Sequence, residues 1–323
     1  MTKTIVRRLL IMIPQLAILS VLIFLLAQLM PGDALRGLAD PATHTAEDLQ
    51  AIREALGLND PWPVQYTRWI RGMVFEGDFG RSLIHGRPVI SIMEERLMNT
   101  VRLSLLTSFF IYLIALPLGI IAARNQGRVI DRGIMIYTFI ALSMPTVVMA
   151  LINILFFGFN WGMFPIMGSI DIRASAAGGL TAFFSRLHHL ILPAITLAII
   201  STVSIIYFLR NQIIDNETSD FVTTARSKGV PEGKVYTRHI LRSSLIPIAG
   251  GFATVIIGAF SGSVFIETMF SYPGMGELFI TSILGRDFPV ANILIMFYAI
   301  MGVLTILLTD IILTVIDPRI RIK

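Results

Sequence analysis

The side chains that could do chemistry gather in few places. The densest is Asp220–Pro247, a polar stretch between two late hydrophobic runs that carries Arg226, Lys228, Lys234, Arg238, His239 and Arg242. Inside it, Gly229-Val-Pro-Glu-Gly233-Lys234-Val235 superficially matches a phosphate-binding loop. That chemistry needs four residues between the glycines and a Ser or Thr after the Lys to hold Mg²⁺. Only Val230, Pro231 and Glu232 separate the glycines, and Val235 follows the Lys, so ATP binding by this chain is rejected. His188 and His189 are adjacent. Neighbouring side chains on a helix diverge, so the pair makes no natural two-point metal site, and a solvated or interfacial role is expected. No His/Asp/Glu cluster has catalytic-metal spacing, and no Gly-x-Ser-x-Gly elbow occurs. Cysteine is absent, which removes disulfides, thiolate metal sites and a cysteine nucleophile. No catalytic residue and no metal ligand is assigned.

The elements that must position the basic stretch are hydrophobic. Of 323 residues, 54% are hydrophobic and 15% charged, against about 25% charged in soluble chains. The mean hydropathy is +0.75. Net charge is +5 and the pI near 9.7, but the cations flank apolar runs rather than covering a soluble domain, which argues against nucleic acid. Lys3, Arg7 and Arg8 precede an uncharged run, Leu9–Met30. It exceeds the roughly 7–15 residues of a signal-peptide core and ends in no Ala-x-Ala site, so a retained span is predicted. Five more runs follow: Leu103–Ala123, Ile134–Phe157, Leu190–Leu209, Ser243–Ile266 and Val290–Thr309. Pro117, Pro145 and Pro193 lie in or beside them, as membrane helices tolerate. The prediction is an all-α membrane protein of six transmembrane helices.

Between the first two spans, 31–97 has the composition of a water-exposed segment. Thr45-Ala-Glu-Asp48 predicts a capped helix start, Leu49, Ile52 and Leu56 share its face, and Gly57 stops it. Asp60-Pro61 predicts a second start, with Asp60 as N-cap. Trp62, Tyr66, Trp69 and Ile70 then form a stripe, read as packing on the membrane interface or a neighbouring span rather than ligand stacking. Gly77-Asp-Phe-Gly80 reads as a turn, and Pro88–Leu97 as an amphipathic lead-in. Cations concentrate at the termini and in the even loops, so both termini are expected in the cytoplasm and 31–97 outside. The domain plan is therefore 1–30, N-terminus and first span; 31–97, an extracytoplasmic helical segment; 98–316, a five-helix core with a cytoplasmic loop at 210–245; and 317–323, a tail. Internal repeats are absent. Glu267 and Asp310 border the last two spans, within a turn or two of a predicted interface. Asp310 is expected to pair with Arg319 or water, and Glu267 to cap the fifth span or shape the outer mouth. No chain of acids and histidines crosses the bilayer, so a proton relay is unsupported. Gly258 and Gly262 form a GxxxG pattern that permits close helix approach, within the chain or to a partner.

In the basic stretch, Phe221–Lys228 has good helical propensity, Gly229 supplies a bend, and Glu232–Leu241 leads amphipathically into the fifth span. An ordinary positive-inside loop would need only anionic lipid. The residue order separates the two readings. Thr224-Ala225-Arg226-Ser227-Lys228-Gly229, followed by His239 through Pro247, resembles the EAA loop of binding-protein-dependent ABC importer permeases, in its dipeptide/oligopeptide version. Thr223 stands where Glu often does, as is common in the peptide branch. Arg7-Arg8, Ile13-Pro14, Pro31-Gly32-Asp33, Leu56 to Pro61, Gln65-Tyr66, Trp69 and Gly77 to Leu83 resemble the same family, as does a late signature with Glu267, Pro273, Gly274 and Gly276. The matches cover nearly the whole chain.

The resemblance implies a type I ABC importer permease fold in a prokaryotic inner or plasma membrane. It implies that Phe221, Thr224, Ala225, Arg226, Lys228 and Gly229 form the coupling helix that seats in a cytoplasmic ATPase. Implied partners are a homologous second permease, two ATP-binding subunits, an extracytoplasmic binding protein, a peptide substrate and membrane lipid. ATP and Mg would reside on the partners, with no cofactor on this chain. Nickel chelates, glutathione and sugars use relatives of the same motifs. Outside this class, a membrane-embedded enzyme would need convergent titratable groups at one depth, and an ion-coupled carrier or channel would need broken helices or polar rings.

Overall fold

The computed structural model describes residues 2–29, 46–55, 57, 59–251, 255, 258–260 and 262–316. The Pro31-Gly32-Asp33 motif, the Thr45 cap, Leu56, the side chains of Leu49, Ile52 and Asp310, Arg319 and the 317–323 tail lie outside what is described. Among the described residues the chain is helical, with one isolated bridge between Arg81 and Pro88. Helix α1 spans Thr2–Leu29, with its apolar part at Leu10–Leu26. Helix α2, Ala46–Ala55, ends before Gly57, which takes φ 64°. Helix α3, Trp62–Arg71, runs on through a wide π-type turn, Gly72–Glu76. Its cap differs from expectation: Pro61 occupies the N-cap without a side-chain bond, and the Asp60 carboxylate pairs with Arg68 instead. The aromatic stripe packs on α1. Phe24 meets Tyr66 at 5.6 Å and Trp69 at 5.8 Å between ring centroids, and the Tyr66 hydroxyl lies 2.8 Å from Ser20 Oγ.

The predicted lead-in and second span are one helix, α4, Val89–Arg124, of 36 residues. At 1.5 Å per residue that is about 54 Å, far more than the roughly 30 Å of a bilayer core. Pro117 sits inside it without a break. The third span, expected to be one rod, is broken. Helix α5, Val129–Ser143, meets α6, Thr146–Asn153, at 103°, and α6 continues through a π-type turn to Asn160. The cause is local: a residue before proline avoids helical backbone, and Met144 is extended at φ −90° and ψ 120°. A short helix α7, Ile172–Ala177, precedes α8, Gly179–Glu217, of 39 residues.

Helices α4 and α8 form the central pair, running parallel. Leu103 shares a cluster with Leu190, Leu192 and Ala194, and further along a Cβ on Gly119 would lie 3.1 Å from Leu209. Helix α9, Asp220–Ser227, follows the end of α8. Helix α10, Glu232–Lys234, joins α11, Arg242–Gly250, through the π-type turn Val235–Leu241. Residues 252–254, 256–257 and 261 of the expected fifth span lie outside those described, and the next helix is α12, Val264–Met269. Helix α13, Met275–Leu284, and the long α14, Phe288–Ile316, complete it, with α14 packed along α1. Among the described residues, three helices are long and apolar enough to cross a membrane: α4, α8 and the Phe288–Thr309 part of α14. The bent α5 and α6 pair makes a fourth if counted as one span.

Candidate functional site

Two groups of candidate residues lie at opposite ends of the α4/α8 pair. The first is α9. Val222 and Ala225, three apart, are buried against Ala123, Leu209, Ile213, Val235 and Ile240, so α9 is seated on the ends of both central helices. Its end is fixed by a paired cap: Val230 N–H donates to the Ala225 carbonyl at 3.2 Å, and Gly229 N–H to that of Arg226 at 2.9 Å. The cap requires Gly229 at φ 72°, in the left-handed region where a Cβ is penalised. Arg226 is used internally. Its guanidinium reaches Glu232 at 2.6 Å and Glu217 at 3.9 Å, tying α9 to its neighbours on either side in the chain. The Arg226 pairing holds the exposed Glu232 carboxyl below its usual range. Phe221, Thr224 and Lys228 remain exposed on one outward face, and Phe221 is 41% exposed despite its size. Of the six expected coupling residues, three face outward, Ala225 and Arg226 build the support, and Gly229 ends the helix.

The same end carries a clamp that sequence reasoning missed. Asp131 is buried at the start of α5, before the apolar run. Its two oxygens accept from Arg210 Nε and Nη2, each at 2.7 Å, and from Gly127 N–H at 2.8 Å. Arg210 beside it holds the Asp131 carboxyl below the usual carboxylate range, with the Gly127 bond adding to this against the effect of burial. A group depressed in this way stabilises the fold above its unfolded pKa of about 3.9, and that contribution is lost as pH falls through the lower folded value. Asp131→Asn is therefore expected to lower stability by about 3 kcal/mol at neutral pH, since Arg210 loses its buried partner. The gap in melting temperature between variant and parent should close as the pH is lowered below about 4.

The second group surrounds Glu267, at the other end of α4. Thr100 and Ala123 are 23 positions apart on this helix, about 35 Å by its rise, close to the thickness of a bilayer. Glu267 is fully buried. Its Oε1 accepts from the Thr100 hydroxyl at 3.1 Å and Ser263 N–H at 3.4 Å, and its Oε2 from Gly276 N–H at 2.7 Å and Glu277 N–H at 3.1 Å. The carboxylate is thus the hub of the signature segment rather than the cap or mouth residue expected from sequence. The glycines follow from it. A Cβ on Gly274 would stand 2.4 Å from Glu267 Oε2, and one on Gly276 2.8 Å from the Val264 backbone nitrogen. The Pro273 carbonyl accepts from Asn99 Nδ2 at 2.9 Å, and Thr100 Oγ1 accepts from Met275 N–H at 2.7 Å. Gly262 of the GxxxG pair also approaches Glu267, a packing use within the chain, whereas a Cβ on Gly258 would meet nothing within 4 Å.

Nearby, the turn predicted at Gly77–Gly80 forms, with both glycines at positive φ. It leads into a loop held by Asp287, which is buried and bonds Ser82 Oγ and the Leu83 N–H, the latter at 3.0 Å. Arg96 pairs with Glu277 at 2.6 Å. These partners lie 181 to 205 positions apart, beyond the reach of any local pattern. His188 and His189 are used separately, against the carbonyls of Met163 and Ser185 at 2.8 Å each. No group of three metal-ligating side chains occurs among the described residues.

Comparison with known proteins supplies the frame for this geometry. Residues 115–322 match the family model described as binding-protein-dependent transport system inner membrane component, and residues 1–104 match the corresponding N-terminal model. The oligopeptide transport system permease protein AppB of Bacillus subtilis is 36% identical, over 99% of this chain and 100% of its own. The dipeptide transport system permease protein DppB of Lactococcus lactis is 31% identical over the full length of both. The glutathione transport system permease protein GsiC of Salmonella paratyphi A is also 31% identical over both full lengths. Among solved structures, an inward-facing form of the MetNI methionine ABC transporter aligns with a TM-score of 0.54 at 15% identity, over 70% of this chain and 96% of that one, a likeness of fold. The helical rods, the seated α9 and the Glu267 hub therefore belong to a membrane protein of the binding-protein-dependent transport system inner membrane component family.

Proposed function

We propose that this chain is the permease subunit of an ATP-driven importer of peptides. The observation that carries this reading is α9: an outward face led by an exposed Phe221, on a helix packed rigidly onto the ends of α4 and α8. Such a helix can pass a push at its outer face to both central rods. The full-length similarity to oligopeptide and dipeptide permeases supports peptide as the substrate. A chain lacking a nucleotide-binding motif needs its energy from elsewhere, so the proposed partners are two ATP-binding subunits, which carry ATP and Mg. A homologous second permease and an extracytoplasmic binding protein complete the assembly, and this chain contributes no catalytic step.

On this reading α9 faces the cytoplasm together with both termini, and the Glu267 hub lies on the outer side of the cell membrane. Six spans are proposed for the chain, as the hydrophobic runs of the sequence suggest. The 31–97 segment lies outside, where α3 and Phe79 pack against α4, α13 and α14 near the Glu267 hub, in a position to meet the binding protein. The similarity to GsiC supports a second substrate, glutathione, itself a small peptide.

Reconstitution tests the reading. The chain with its ATPase, second permease and binding protein in vesicles should take up labelled di- or oligopeptide only with ATP. The chain alone should not. Transport by the lone chain without ATP would overturn the permease reading. Uptake of glutathione or a nickel chelate but not of longer peptides would keep the architecture and move the substrate.

A further inference from the structure

The exposed faces of the membrane helices are not alike. On α4 the outward positions are Leu105, Phe109, Leu113 and Ile121, the first three more than half exposed. On α5 they include Ile136, Phe139, Ile140 and Leu142, and on α1 Ile18, Leu22 and Leu26. These are surfaces for hydrocarbon. Helix α8 differs in the half nearer α9. There Ser201, Ser204, Phe208 and Asn211 are exposed at spacings of three and four, one stripe of a helix, with Tyr207 exposed beside it. The other side of the same half is packed: Thr202, Val203, Ile206, Leu209 and Ile213 are buried, and Arg210 turns to Asp131. The Asn211 side chain accepts from Arg210 Nη1 at 3.3 Å.

We propose that the Ser201, Ser204, Phe208 and Asn211 face of α8, with Tyr207 at its edge, lines the water-filled pathway along which the peptide crosses. Hydroxyl groups turned into lipid would lose hydrogen-bond partners, so the Ser201 and Ser204 part of the stripe, inside the expected span, does not face acyl chains, and Asn211 continues it just past the span's end. Ser and Asn can also hydrogen-bond across a helix contact, but Tyr207 and Phe208 project from this face and would hold the backbone of a second helix away from it. Neutral hydrogen-bonding groups alternating with rings suit a peptide, whose backbone is constant and whose side chains vary. The wall offers no charge that would trap one class of side chain. This inference rests on the importer reading for the identity of the cargo, but not for the presence of water at the face.

The absence of cysteine from the natural chain makes the test direct. Ser201→Cys and Ser204→Cys, both inside the span, would be introduced singly into the full assembly in vesicles, with Leu105→Cys and Leu113→Cys as controls on the apolar face of α4. A charged, water-soluble thiol reagent would be applied with and without ATP, and labelling read on this chain after separation. Because the thiolate is the reacting form and needs water to ionise, the α8 cysteines should react at least about tenfold faster than the controls in one of the two states. Rates no higher than those of the controls in both states would overturn the proposal. So would reaction in the isolated chain that disappears in the assembly in both states, which would make the face a subunit contact. Loss of ATP-driven uptake by the unsubstituted assembly would overturn the importer reading alone, since the labelling reports water whatever the cargo.

Discussion

Glu267→Ala is expected to abolish uptake and to lower stability by about 3 kcal/mol or more, the largest effect of any single substitution considered. The carboxylate takes four donors in a site closed to solvent. Alanine leaves the buried Gly276 N–H and the part-buried Glu277 N–H without their carboxylate acceptor, and each such group costs about 1–3 kcal/mol. It also opens a void against Gly262, Gly274 and Gly276, all of which lack side chains to fill it. Glu267→Gln should be milder. Its carbonyl oxygen can take the place of Oε2 and keep the Gly276 and Glu277 donors. Its amide then faces Thr100 Oγ1, which can accept, and the Ser263 N–H, which loses its long bond to Oε1. Gly276→Ala should resemble the alanine variant of Glu267, because the new Cβ meets backbone rather than a movable side chain. The measurement is the melting temperature of the solubilised chain beside uptake in vesicles. A Glu267→Ala protein that melts with the parent would refute the hub.

Phe221→Asp is expected to leave the chain folded and stop transport. Phe221 is exposed, so stability should change by no more than about 0.5 kcal/mol. A buried aromatic anchor at a protein interface is worth about 2 kcal/mol or more, so affinity for the ATPase should fall roughly thirtyfold and ATP-driven uptake with it. Val222→Asp makes the contrast. Val222 is fully buried, so an acid there should damage folding itself. Co-purification of the ATPase with each variant, together with its melting temperature, separates the two. A Phe221→Asp chain that still holds the ATPase and transports at the parent rate would remove α9 as the coupling surface.

Much of this arrangement was legible in the sequence, for a physical reason. Spans, glycine stops and the α9 helix are local: a run of apolar residues, a Gly at positive φ and a two-position buried face are written in consecutive residues. The break in the third span was also local, since Pro145 marks it, yet Pro117 and Pro193 lie in unbroken helices. Which proline breaks its helix depends on whether neighbours repair the lost bond, and that is not in the segment. The partners of Glu267 are not legible in the sequence, because they come from other segments, Thr100 from far along the chain. Thr100 and the folded-back glycines, not distance from the interface, decide its surroundings. The Asp131–Arg210 pair is not legible in the sequence because nothing links the two but the packing of α5 on α8.

The Glu267 hub also sets a schedule for synthesis. Thr100 and Glu267 are 167 positions apart. At about 5–20 residues per second, Thr100 leaves the ribosome some 8–33 s before the carboxylate that will bind it. Through that interval the Thr100 end of α4 is unfinished, and the segment that completes it emerges only after α8 and α9 are made. A nascent chain stopped before Gly262 would thus already hold its central rods and the helix proposed to meet the ATPase, while lacking the means to close the opposite end. A protease acting at the Thr100 end would find the defect there, and one acting at the α9 end would find a surface already complete.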